Sequence, residues 1–260
     1  MKSKKLTFYT EIAYLIGLFF LAFGTALTVY GGFGMSMVVA PAYIIHKFVE
    51  QFWSPFSFAM AEYIFQAILL ILLMIIIRKA KWSYILSFGS VLLYGFFLSF
   101  SQMLTQKLLP QSSATLQIIM YVLGIIIICM SVALLFTTYI PLEAYEMFVK
   151  EISAKLHVPI PKVKIFYDCA SLLVAMILCT IFFNPFSHGG YSDIVSGFMA
   201  YGIGNGTVAC AFINGPVIGI FQKLYSKIFN FEDAFKLRKY FEDTNEINTN
   251  TENNEIKESE

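Results

Sequence analysis

The stretch IAYLIGLFFLAFGTALTVYGGFGMSMVVAPAYII, Ile12 to Ile45, contains no charged side chain. About 20 apolar residues carry a helix across the hydrocarbon layer of a bilayer, so residues 12–30 read as one span. Gly31, Gly32 and Gly34 then interrupt the run, because closely spaced glycines release the backbone from helical geometry. Ser36 is placed to cap a new short helix over residues 37–49, which contains Pro41.

Further charge-free runs cover residues 82–106, 108–142, 169–192 and 194–222, and Glu62 alone interrupts residues 51–77. The chain of 260 residues is 58% hydrophobic and 13% charged, against roughly 25% charge in soluble domains. The fold class is therefore an all-α polytopic membrane protein. Six transmembrane helices are expected near residues 12–30, 56–77, 83–104, 116–136, 163–183 and 205–225. The first run is longer than a signal-peptide core and lacks an Ala-x-Ala exit, so it reads as an uncleaved helix. A net charge of +1 argues against nucleic acid as a partner.

All of the 18 Lys and Arg except Lys47 and Lys107 fall in the N-terminal segment, the turn near residue 80, the central loop or the C-terminal segment. Lys150, Lys155, Lys162 and Lys164 make up the central group. Cytoplasmic segments retain positive charge, so both termini are expected in the cytoplasm of a multi-pass protein. Residues 1–242 form the transmembrane domain. Residues 243–260, rich in Glu, Asn and Thr, lack the apolar surface to offset the entropy of ordering and read as a disordered acidic cytoplasmic tail.

The chain repeats itself. Tyr14-Leu-Ile-Gly17 matches Tyr121-Val-Leu-Gly124, Pro55 matches Pro161, and Glu62 matches Asp168 at nearly constant offset. The two repeats run over about 12–105 and 115–228. Each has three spans, an odd number, so they insert in opposite senses, as in many secondary transporters. Both have an interruption after the first helix, and in the second repeat it is Thr137-Thr-Tyr-Ile-Pro141-Leu-Glu143, with Pro141 at a helix start. Beyond it, Leu142, Tyr145, Phe148, Ile152 and Leu156 line one helical face, while Glu146 and Lys150 form an i,i+4 pair on another. The many charges of residues 142–156 favour a helix lying in the membrane interface over a re-entrant one. For residues 37–49 re-entrance is favoured slightly.

Charges inside spans are costly and face a bundle interior or a water-filled cavity. Glu62 and Asp168, each read as about two turns inside its span, are therefore the leading functional pair. Such carboxylates favour a bound proton or cation; the competing reading is a hydrated helix end. A second cluster runs from Gly202 through Gly204, Asn205, Gly206 and Thr207 to Asn214, Gly215 and Pro216. It reads either as a broken helix whose freed backbone groups bind a ligand, or as a tightly packed interface satisfied by side-chain hydrogen bonds. Ser36, Asn205, Thr207 and Asn214 join Glu62 and Asp168 as candidate contacts to a solute or ion.

Glu11 and Asp193 read as interfacial, and His46, His157 and His188 as loop residues. Cys129, Cys169, Cys179 and Cys210 lie in apolar runs without Cys-x-x-Cys spacing, so neither a metal site nor a cofactor is expected. No nucleophile with a base presents itself, and an enzyme is not expected.

The Gly32-Phe-Gly34-Met-Ser36 break, its Pro141-Leu-Glu143 counterpart, and Gly204-Asn-Gly206-Thr207 leading to Gly215-Pro216 resemble the YczE/YyaS/YitT family of bacterial integral membrane proteins. The likeness covers about residues 10–225. This chain departs from the pattern in a second break without glycines and in a long central amphipathic segment. The resemblance implies a bacterial plasma-membrane protein with duplicated hairpins, and it brings no substrate.

Two functions follow as expectations. The first is transporter-like movement of a small solute or ion between inverted repeats. The second is a non-catalytic scaffold or accessory subunit, binding a membrane partner or a second copy through the central helix and tail. A shared enclosed cavity around Glu62 and Asp168 favours the first, and pairing of either with headgroups or Lys164 favours the second.

Overall fold

The computed structural model describes residues 6–78, 82–109, 113–184 and 191–235. Among these it has nine helices and one two-stranded sheet. In chain order they are β1 (Leu6–Tyr9), α1 (Thr10–Gly31), α2 (Ala40–Glu50), α3 (Phe58–Ile77), α4 (Trp82–Leu108), α5 (Ala114–Leu135), α6 (Ala144–Leu156), α7 (Ile160–Phe183), α8 (Tyr191–Ala200), α9 (Asn205–Ile228) and β2 (Phe229–Glu232). Six helices, α1, α3, α4, α5, α7 and α9, are long and apolar enough to cross a membrane. They coincide with the expected spans to within a few residues.

The outside is greasy and the inside carries charge. Phe96, Phe166, Ile75 and Ile181 are each exposed by 66% or more, while Lys164, Asp168, Glu143 and Glu146 are buried. That inversion of the soluble pattern is what lipid as solvent demands.

The helices of the two halves interlock. α1 lies along α5 in the most extensive contact of the molecule. The close approach depends on Gly24 and Gly124: a Cβ on Gly24 would stand 2.9 Å from the Gly124 carbonyl oxygen, and one on Gly124 would stand 2.8 Å from that of Gly24. The short helices cross over, with α2 packing on α7 and α6 on α3. α4 then covers α1, and α9 covers α5. Each half therefore completes the other.

Several expectations need correction. The first half of α6 is enclosed on its polar side as well as its apolar side, leaving Glu146 6% exposed, because α3, α4 and α7 pack around it, whereas Ala154, Lys155 and Leu156 at its end are exposed. Lys150 donates to the Thr138 carbonyl at 2.9 Å, and Glu146 Oε1 lies 3.6 Å from Lys164 Nζ. Pro141 stands before α6 rather than at its start, with Glu143 as N-cap. His46 belongs to α2, where Nδ1 lies 3.0 Å from the Phe56 carbonyl oxygen. Helix α8 and the two strands were not anticipated. The 243–260 segment and His188 lie outside the described residues, as does the side chain of Asp193.

β1 and β2 run parallel, with Leu6 opposite Phe229 and Tyr9 opposite Glu232. The N-terminal and C-terminal ends of the described fold are thus on one side. Glu11 fastens them: it accepts from the backbone N–H of Ala234 (3.0 Å) and Phe235 (2.9 Å) and from the Tyr139 hydroxyl (2.6 Å). A carboxylate in the first turn of α1 also complements the positive end of the helix dipole.

Candidate functional site

Helix α3 starts at Phe58 because Ser57 caps it, its Oγ accepting from the Met60 N–H at 3.3 Å. Glu62 is consequently one turn inside the helix, nearer its end than the sequence reading placed it. Its Oε1 accepts from the Tyr145 hydroxyl at 3.0 Å and from Gln66 Nε2, one turn on, at 3.3 Å. Both donors are neutral.

The second half supplies the rest. Ser90 Oγ donates to the Pro141 carbonyl at 2.5 Å and itself accepts from the Tyr14 hydroxyl at 2.6 Å, which fixes the break between α5 and α6. That break delivers Glu143 to the interior, 6% exposed, with Oε1 lacking any hydrogen-bond partner. Burial first, then the neighbouring carboxylates Glu146 and Glu62, hold the Glu143 carboxyl well above the ordinary glutamate range.

Lys164, counted from sequence among the cytoplasmic cations, is 4% exposed within α7. Its Nζ lies 3.1 Å from Asp168 Oδ1, four residues on, and 3.6 Å from Glu146 Oε1. Asp168 is fully buried. Because Lys164 lies one turn before it on the same face, the two meet without any tertiary help.

These groups surround a cavity of about 80 Å³ between the halves. Glu62, Glu143, Glu146 and Lys164 line it, together with Ser36 and Asn214. Asp168 reaches the cavity only through Lys164. Thr207 is buried elsewhere: its Oγ1 donates to the Met35 carbonyl at 2.7 Å and accepts from the Gly204 N–H at 3.3 Å. Asn205 is exposed. Of the six candidates, then, Glu62, Ser36 and Asn214 meet at the cavity, Asp168 backs it, Thr207 is structural and Asn205 stands apart.

The glycine breaks meet backbone to backbone. The Gly206 N–H donates to the Phe33 carbonyl at 3.0 Å and the Met35 N–H to the Gly202 carbonyl at 2.9 Å. Gly34 has φ of 115°, and a Cβ there would lie 2.3 Å from Thr207 Oγ1 and 2.6 Å from Gly204 N. α1 ends at Gly31 with Gly32 in the left-handed conformation. The helix is broken only up to Gly204, and backbone groups beside the break pair with the first break rather than with a ligand. From Asn205 onward α9 is continuous through Pro216, and Gly215 accommodates Ile165 and the Pro161 carbonyl of α7, so the packed-interface reading applies there.

Glu143, Glu146 and Lys164 are the site residues that sequence reasoning missed. The available signals were the i,i+4 spacing of Lys164 and Asp168 and two glutamates directly behind the second break. Among the described residues no three His, Cys, Asp or Glu side chains converge as a metal-ligand set, and the four cysteines are free.

Residues 8–223, from β1 into α9, match a family of unknown function, DUF6198. The chain belongs to that family. The match carries no name that ties the family to YczE/YyaS/YitT. No curated protein and no solved structure matches the chain.

Proposed function

We propose that this is a transporter-like protein of the bacterial plasma membrane, moving a small solute or ion through the cavity between two inverted repeats, with both termini cytoplasmic. A kinship between its family and YczE/YyaS/YitT is part of the same proposal. The observation that carries the transport reading is that Glu62 of the first half and Glu143, Glu146 and Lys164 of the second line one cavity. Intramembrane charge at the meeting of inverted repeats is where secondary transporters hold their cargo.

The scaffold reading loses ground because the cations it would use serve the protein's own backbone. Lys150 bonds the Thr138 carbonyl and Lys155 that of Ile76. The pairing of Asp168 with Lys164, which favoured a scaffold, is part of the cavity wall.

Proteoliposome flux over a panel of metabolites and inorganic ions tests the proposal. Saturable uptake that drops at least tenfold in Glu62→Gln is expected. Absence of uptake across the panel, with protein shown to be folded and inserted, overturns it.

A further inference from the structure

The charges in the cavity do not balance. Among the described residues three carboxyl groups, Glu62, Glu143 and Glu146, line it with one ammonium, Lys164, and Asp168 lies behind that ammonium. Lys164 lies 3.1 Å from Asp168 and 3.6 Å from Glu146, so its charge is already engaged. Glu62 is met by two neutral donors. Glu143 is left over: it is more than nine-tenths buried, lines the cavity, and its Oε1 has no hydrogen-bond partner. A buried acceptor without a donor costs free energy unless something enters to satisfy it.

The walls narrow what that something is. A hard metal cation takes six or more oxygen ligands in a closed shell, and among the described residues no such convergence of carboxylates exists. Tyr94, Tyr121 and Tyr145 face the cavity instead, with Leu21, Val38 and Ile125. Aromatic faces and aliphatic walls suit a cation that carries an apolar body. An N–H bearing cation also supplies the donor that Glu143 lacks.

We propose that the cavity binds a small organic ammonium ion, a protonated primary amine, with its N–H groups on Glu143 and Glu62 and its carbon chain against the tyrosine walls. The inference rests on the transport reading only for the idea that such an ion is moved; binding stands by itself.

The test is ligand-induced thermal stabilisation and calorimetric binding of the full-length protein in detergent, using propylammonium chloride. Sodium chloride at equal ionic strength and sodium propionate serve as comparisons. Saturable binding of propylammonium is expected, with affinity falling at least tenfold in Glu143→Gln and at least fivefold in Glu62→Gln, so the second variant decides if the first does not fold. The folded protein favours a protonated Glu143, so the ammonium takes the place of that proton and binding should weaken as pH is lowered. The charged and titratable groups facing Glu143 are Glu62 on α3, Glu146 and Tyr145 on α6, Lys164 on α7, Tyr14 on α1 and Tyr94 on α4.

Equal stabilisation by sodium chloride, stronger binding of propionate, or undiminished affinity in both variants overturns the inference. Ammonium binding without flux of any solute retains it and removes the transport proposal. Flux of a neutral or anionic solute without ammonium binding does the reverse.

Discussion

Glu62 and Asp168 match by sequence offset between the two halves, but Glu62 lies one turn into α3 and Asp168 two turns into α7, and their surroundings differ completely. One turn before Asp168 stands Lys164; one turn before Glu62 stands Phe58. Asp168 is therefore held by an ammonium 3.1 Å away and is cut off from the cavity. Glu62 receives only Tyr145 and Gln66 and faces the open space. The two breaks differ in the same sense. The first joins α9 by backbone hydrogen bonds, whereas the second sets Glu143 into the interior. The second half holds a buried ion pair, and carboxyl groups without a counter-charge of their own sit where both halves meet.

The sharpest way to break this contrast is to remove the fixed cation. Lys164→Met leaves Asp168 and Glu146 buried without their counter-charge, which should cost about 3–5 kcal/mol. Unfolding in detergent should show it, and Asp168→Leu added to Lys164→Met should restore most of the loss. If Glu62→Gln proves equally damaging to stability, the division of roles is wrong.

A smaller loss separates the glycines that shape the first break from those that do not. Gly34→Ala places a Cβ against Thr207 and Gly204 at positive φ and should cost about 2–4 kcal/mol. Gly89→Ala, within α4 and with nothing within 4 Å of the new Cβ, should be neutral or stabilising by up to about 1 kcal/mol. Similar unfolding midpoints for the two variants would remove the argument for a tight backbone junction.

The mildest effect is one of pH. Because the folded-state pKa of Glu143 is raised by burial and by Glu146 and Glu62, the folded state favours its protonated form. Stability from this group is full below the unfolded glutamate pKa of about 4.3, and is lost as pH rises from there toward the folded value. Glu143→Gln should therefore melt above the wild type at pH 8, the two curves converging toward pH 4. Parallel curves would mean that Glu143 is hydrated and ordinary.

The spans were legible because lipid leaves little freedom: a long charge-free run such as residues 12–45 has few alternatives to a helix and a break. Glu62 was legible for the same reason, as a lone charge in such a run. Lys164 was not, since a lysine near the start of a span looks the same whether it reaches outward to headgroups or inward to Asp168. Glu143 and Glu146 were hidden by the amphipathic pattern of residues 142–156, which shows that two faces differ and does not show that both are covered. The backing of Asp168, the isolation of Asn205 and the structural duty of Thr207 depend on which helix arrives opposite, and no local pattern encodes that.

The parallel pairing of Leu6–Tyr9 with Phe229–Glu232 sets a schedule for biogenesis. At a synthesis rate of about 5–20 residues per second, the partner of the first strand emerges roughly 10 to 45 s after it. Throughout that interval β1 presents an open edge beside the membrane, and Glu11 waits for the N–H groups of Ala234 and Phe235. The chain is stapled shut by a strand that follows every candidate span, so a nascent molecule that stalls after α9 has all six and still lacks its closure.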